Sequence, residues 1–298
     1  MLWVFLAISA HLVWALVNLL DRYVMEKRLK EPFFYTVVIL IFDGLASLLF
    51  LPFITFDWIS WTAAVGALFA GVFFMLGTIF FTRAIQIEEA SRVNILWVFI
   101  PIFDFIFGWL LLGEKLSGKQ LLAFLVLLSG SLIACLHWRG GKWKFSRAFV
   151  LMLISCLFYS GYDIIMRYFT RESPFSLLYF IASFSMLFWL VPILSTKKFR
   201  QKYQSEFKCF NLSLVIIVIL VAFFSGLGLF LNTRAISLGP VSLVSALEGF
   251  QTIFVFVIAA LLTIFVPRIM KEEFDRKNLV LKLAALVLML GGIAVLYL

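Results

Sequence analysis

The chain has 298 residues, of which 64% are hydrophobic and only 14% charged, with a mean hydropathy of +1.09 and a formal net charge of +9. Soluble domains run at roughly 45–50% apolar and about 25% charged residues, so this composition excludes a soluble globular protein and calls for segments that lie in a bilayer. The basic excess does not point to a nucleic acid, because Lys and Arg are distributed among the loops between apolar segments instead of forming one patch.

Segments of about 20 predominantly apolar residues cross a membrane as helices. Ten are predicted, in chain order: residues 2–24, 33–54, 58–82, 92–112, 119–137, 147–169, 175–195, 212–233, 241–265 and 278–298. The first has no basic stretch ahead of its apolar run and continues to Asp21-Arg22 without an obvious cleavage site, so it is expected to be a mature helix and not a secretory signal. The expected fold class is therefore all-α integral membrane.

The third segment closes on Thr82-Arg83-Ala84-Ile85, and the eighth closes on the same four residues, Thr233-Arg234-Ala235-Ile236, 151 positions later. Ser91 has its counterpart in Ser242 at that offset. Trp14 to Asn18 and Arg22-Tyr23 correspond to Tyr159 to Asp163 and Arg167-Tyr168 at an offset of 145. These matches predict an internal duplication, with residues 1–140 as one five-helix unit and 145–298 as the other. An odd number of crossings per unit starts the second on the opposite side of the membrane, so the repeats are expected to be inverted. That construction recurs in secondary transporters, which hold substrate near the midplane.

Assigning Lys and Arg to alternate faces gives a 20-to-5 split. The rich face holds Arg22, Lys27 to Lys30, Arg83, Arg92, the 139–147 and 197–208 clusters, and Arg268 to Lys282; the poor face holds Lys115, Lys119, Arg167, Arg171 and Arg234. The positive-inside rule then places the rich face in the cytoplasm and both termini outside it, in a multi-pass protein of the cell's inner membrane. Cys135, Cys156 and Cys209 are isolated, and His11 and His137 are too few for a metal cluster. No phosphate-cradling glycine loop or nucleophile elbow is present, so neither an enzyme nor a cofactor or metal site is expected.

Polar residues inside apolar spans are costly, and their positions carry the functional signal. In the fourth segment Asn94, Trp97, Pro101 and Asp104 follow steps of three, four and three, one stripe of a helix. The corresponding stripe in the ninth is Ser245, Glu248, Thr252 and Val255, with Glu248 in the place of Trp97. The first and sixth segments repeat an aromatic, polar, basic order: Trp14, Asn18 and Arg22, then Tyr159, Asp163 and Arg167. Inverted halves would bring these stripes around one cavity. The candidate substrate-binding residues are Trp14, Asn18, Asp43, Asn94, Trp97, Asp104, Tyr159, Asp163, Ser245, Glu248 and Gln251, with Glu248 also the candidate coupling group. A structural alternative is interhelical hydrogen bonding, for which Asn18, Asn94 and Ser245 are equally suited. Arg83 and Arg234 are expected to snorkel or cap helix ends.

The duplication, the Arg-Ala-Ile turn followed by Ser91, Pro101, and the run Leu111-Leu112-Gly113-Glu114-Lys115-Leu116-Ser117 leading to Ser129-Gly130 resemble the EamA family of the drug/metabolite transporter superfamily. The resemblance spans nearly the whole chain and is strongest from Phe80 to Ala134. It implies transport of a small metabolite by a protein in the lipid bilayer, as a monomer or homodimer. Two features depart from the family: residues 266–277 replace the second Leu-Gly-Glu element, and the loop charges put the termini outside where many relatives keep them inside. Aromatic rings beside carboxylates suit an amine or amino acid through cation–π attraction and counter-charge. An anionic or nucleotide-type substrate, which would draw on Arg22 and Arg167, and a non-transporting scaffold are the alternatives.

Overall fold

The computed structural model describes residues 2–29, 31–54, 57–88, 93, 96–135, 147–204, 206, 211–265 and 276–297. Among these the chain is all helical. The first half holds α1 (Leu2–Lys27), α2 (Pro32–Ala46), α3 (Trp61–Ile85), α4 (Phe99–Leu112) and α5 (Gly118–Cys135). The second holds α6 (Arg147–Phe169), α7 (Phe175–Ser195), α8 (Lys197–Lys202), α9 (Leu212–Leu238), α10 (Val241–Ser245), α11 (Gly249–Phe265) and α12 (Arg276–Tyr297). Eight stretches are long and apolar enough to cross a membrane, including Pro32–Pro52 and Val241–Phe265. The predicted fourth and fifth spans are shorter apolar helices, Leu96–Leu112 and Gly118–Ala134.

Local chemistry sets the ends. Ser60 and Asn211 cap α3 and α9 by accepting the Ala63 and Leu214 amides at 3.1 and 2.9 Å. Gly113 ends α4 in the left-handed conformation at φ 65°, and the Glu114 amide returns to the Gly108 carbonyl at 2.9 Å. Pro52, which has no amide proton, sits in the 3-10 turn Ser47–Phe53 that replaces the expected continuation of α2. The first Thr-Arg-Ala-Ile element closes its helix as expected, since α3 ends at Ile85, whereas α9 continues two residues past the second, to Leu238. Their threonine hydroxyls bond back to the Thr78 and Leu229 carbonyls within the same helices.

The core is cross-woven between the halves. α3 packs on α6 and α7, α1 on α9 and α11, α2 on α7 and α9, α4 on α6 and α10, and α5 on α12 and α11. Small residues permit close approach: Gly71 faces the Ala182 carbonyl between α3 and α7, and Gly130 faces Met289 between α5 and α12. One large cluster centres on Phe34, Tyr162, Tyr179 and Met186, and a second on Leu127, Leu247, Phe250 and Met289.

Candidate functional site

Two 3-10 turns lie at corresponding positions. A 3-10 turn at Leu96–Val98 precedes α4, and another at Ala246–Glu248 separates α10 from α11 where one continuous ninth helix was expected. Trp97 and Glu248 occupy these turns, 151 residues apart. A 3-10 stretch within a helix often marks a functional hinge, and here it sets Glu248 partly open while Ala246 and Leu247 are fully buried.

Asp104 on α4 is completely buried and is the hub of the polar cluster. Ser160 of α6 donates to its Oδ1 at 2.5 Å, and Ser245 of α10 donates to its Oδ2. Asp163, one turn beyond Ser160, meets Asp104 side chain to side chain, and Glu248 lies within electrostatic reach of both. Asp104 of α4 and Asp163 of α6 thus meet, with Glu248 of the 3-10 turn before α11 within electrostatic reach, and no Lys or Arg among the described residues pairs with any of the three.

Aromatic rings stand beside this cluster. Trp97 and Tyr159 have ring centroids 5.3 Å apart, Phe81 flanks Trp97 at 4.8 Å, and the Tyr159 hydroxyl meets Thr78 at 2.9 Å. Tyr159 lies over Gly77 of α3, whose added Cβ would be 3.0 Å from the ring. Trp14 stands in the corresponding relation to Gly228 of α9, where an added Cβ would be 2.5 Å from the indole nitrogen. Both contacts run from one half to the other, and a side chain at either glycine would displace the aromatic.

Trp14 also donates to the Ser225 carbonyl at 3.3 Å, and the Ser225 hydroxyl donates to Asp43 Oδ2 at 3.2 Å, leaving Asp43 Oδ1 buried without a protein partner. His11 Nδ1 meets Gln251 Oε1 at 3.3 Å, which ties α1 to α11 one turn past Glu248. Asn18 is exposed although it lies on the side of α1 opposite Phe5, Leu12 and Leu16, the apolar residues that face outward. Asn94, Ser91 and Arg92 lie outside the described residues, as does the side chain of Arg22.

Sequence reasoning singled out Ser245 but missed two other serines that hold the carboxyl groups, Ser160 and Ser225. Ser160 and Ser225 sit singly in apolar runs and give no spacing signal. It also missed the partner of Arg167, whose Nε donates to Glu114 Oε1 at 2.8 Å while its Nη1 donates to the Ser237 carbonyl at 2.7 Å. Arg171 reaches the same Glu114 oxygen at 3.2 Å, and Glu114 Oε2 accepts the Val241 amide at 3.1 Å. Glu114 therefore joins the ends of α4 and α6 to the start of α10. Arg83 and Arg234 do not cap helix ends: their guanidinium carbons stand over the Phe33 and Phe175 rings at 4.3 and 5.1 Å. Cys156 is buried and donates weakly to the Leu96 carbonyl at 3.4 Å. The described residues contain no group of three or more metal-ligating side chains.

A solved crystal structure, described only as that of a protein, superposes with a TM-score of 0.70 at 17% identity, over 98% of this chain and 94% of its own, which shows a shared fold. No curated protein matches the chain significantly. Residues 1–136 match the EamA-like transporter family, and with its apolar helices this stretch of the chain, from α1 through α5, belongs to that family within the drug/metabolite transporter superfamily.

Proposed function

We propose that the chain is a secondary transporter that moves a small amine or amino acid across the cytoplasmic membrane by alternating access. The observation that carries this reading is that Asp104 meets Asp163 beside Trp97 and Tyr159, with Glu248 within electrostatic reach, and that no Lys or Arg among the described residues pairs with any of the three. Uncompensated carboxyl groups within a membrane are expensive and are typically functional. A substrate ammonium supplies the missing charge, and the rings supply cation–π attraction. Arg167 is engaged by Glu114, so it is not free to hold an anion, which argues against an anionic substrate.

Ten crossings in two inverted units fit this role. Leu96–Leu112 and Gly118–Ala134, at 17 residues each, extend about 25 Å and reach the lower limit of a spanning helix. Exchanging the halves turns α3 on α6 into α9 on α1, α3 on α7 into α9 on α2, and α4 on α6 into α11 on α1, and all of these packings are present. The same exchange relates Tyr159 on Gly77 to Trp14 on Gly228, and Arg83 on Phe33 to Arg234 on Phe175. With the basic loops in the cytoplasm, both termini and the Glu114–Arg167 junction lie on the outer side.

Thermal unfolding of the purified protein with a panel of amines, amino acids and metabolite anions tests the substrate class, since a ligand of the folded state raises apparent stability. The expected result is stabilisation by an amine or amino acid that disappears in Glu248→Gln. Stabilisation by anions alone, or by amines equally in wild type and Glu248→Gln, overturns the assignment.

A further inference from the structure

Far from the carboxyl cluster, a surface cleft of about 550 Å3 opens beside the short helix α8 and is lined by Leu194, Phe199, Arg200, Gln201 and Gln204. α8 has the sequence Lys-Lys-Phe-Arg-Gln-Lys and follows α7 directly. Thr196 accepts the Phe199 amide at 3.3 Å and starts the helix. Phe199 and the next aromatic, Tyr203, are buried and pack on Phe33 and Phe34 at the start of α2. This anchoring leaves Lys197, Lys198, Arg200 and Lys202 exposed together. The Arg200 Nε is held by the Leu194 carbonyl at 3.1 Å, which fixes the guanidinium at the cleft.

The cleft is amphipathic in the direction of a lipid molecule. Leu194 and Phe199 give it an apolar wall, and Arg200, Gln201 and Gln204 give it donors. From its apolar side an outward-facing track continues along α7 through Val191, 57% exposed, to Phe188, 63% exposed, which meets Phe184 edge to face. An apolar helix face in the bilayer thus ends at a cluster of cations, at the depth where lipid head groups sit.

From the cleft, the fixed guanidinium and this continuous track, we infer that α8 and the end of α7 form a binding site for one anionic phospholipid, with the phosphodiester at Arg200 and the Gln201 and Gln204 amides, and an acyl chain along Val191 and Phe188. The lysines of α8 add attraction to the net negative head group. Planar bidentate donation suits Arg200 to a phosphate oxygen pair. A zwitterionic lipid shares the phosphate but lacks the net charge, and inorganic phosphate lacks the chain.

The test is native mass spectrometry of the purified protein in detergent, titrated separately with phosphatidylglycerol and with phosphatidylcholine of the same acyl chains, with inorganic phosphate competing. One retained phosphatidylglycerol per chain and weaker retention of phosphatidylcholine are expected. Each cation removed, as in Lys197→Gln or Lys198→Gln, weakens phosphatidylglycerol binding about fivefold. Arg200→Lys keeps the charge and loses the fork, so its binding falls between wild type and Arg200→Gln. Equal retention of both lipids, or binding unchanged in Arg200→Gln, overturns the site. Displacement of the lipid by millimolar inorganic phosphate assigns the cleft to free phosphate and also overturns it. Val191→Ser, exposed and remote from the cations, reduces retention only if an acyl chain lies on the track, and unchanged retention contradicts the lipid assignment.

Discussion

Removing the charge of Glu114 should loosen one end of the helix bundle, by an amount that depends on which arginine is considered. Its side chain is 12% exposed and Arg167's is 16% exposed, with a 2.8 Å contact, whereas Arg171 is 39% exposed at 3.2 Å. Hydrogen bonds to charged groups contribute about 1.5–3 kcal/mol, and removing one partner of a fully buried pair costs about 3–5 kcal/mol. The junction sits between these cases, so Glu114→Gln is expected to cost about 2–3 kcal/mol in reversible unfolding in mixed micelles. A double-mutant cycle with Arg167→Gln should give a coupling of about 2 kcal/mol. The cycle with Arg171→Gln should give less than about 1 kcal/mol, as for other solvent-exposed pairs. The cycle is needed because Arg167→Gln also removes the bond to the Ser237 carbonyl. Coupling to Arg171 equal to that of Arg167, or coupling to Arg167 below about 0.5 kcal/mol, refutes the reasoning that the buried contact holds α4, α6 and α10 together.

Three further outcomes can be checked by unfolding and spectroscopy. Asp104→Ala leaves the buried Ser160 hydroxyl without its acceptor and should cost about 1–3 kcal/mol, while Asp104→Asn, which still accepts one serine, should cost less. Gly228→Ala puts a methyl within 2.5 Å of the Trp14 indole nitrogen and should shift the tryptophan emission, an effect that Trp14→Phe abolishes. Gly71→Ala meets the Ala182 carbonyl at 2.3 Å and should lower stability by about 1–3 kcal/mol, whereas Gly291→Ala meets nothing within 4 Å and should be neutral or slightly stabilising.

The hydrophobic runs were legible because span length and composition follow directly from bilayer thickness. The 151-residue offset paired Trp97 with Glu248, and both residues lie in 3-10 turns. The turns themselves were not legible: nothing in Ser245-Ala246-Leu247-Glu248 disfavours a continuous helix, and the kink is a product of packing. The helical stripes put Asp104, Asp163 and Glu248 among the candidates, and the fold brings the first two side chain to side chain. Ser160, the partner of Asp104, and Ser225, the partner of Asp43, were not among the candidates, because one hydroxyl in an apolar run has the same local pattern whether it faces a carboxylate or its own backbone. The ring contacts of Arg83 and Arg234 were not legible, because a cation near a helix end looks alike in sequence whether it meets water or a ring on another helix. The role of Glu114 followed from neither periodicity nor spacing, since it joins three elements that only the fold brings together.

The most direct test of the transport proposal is counterflow in liposomes. Protein reconstituted into vesicles preloaded with an unlabelled amine or amino acid that stabilises it should accumulate the labelled compound transiently and saturably, and Glu248→Gln should lose at least about tenfold of that rate if the carboxylate supplies about 1.4 kcal/mol or more of differential binding. Flux that is linear in concentration and indifferent to preloading, or full counterflow by a folded Glu248→Gln protein, would contradict it.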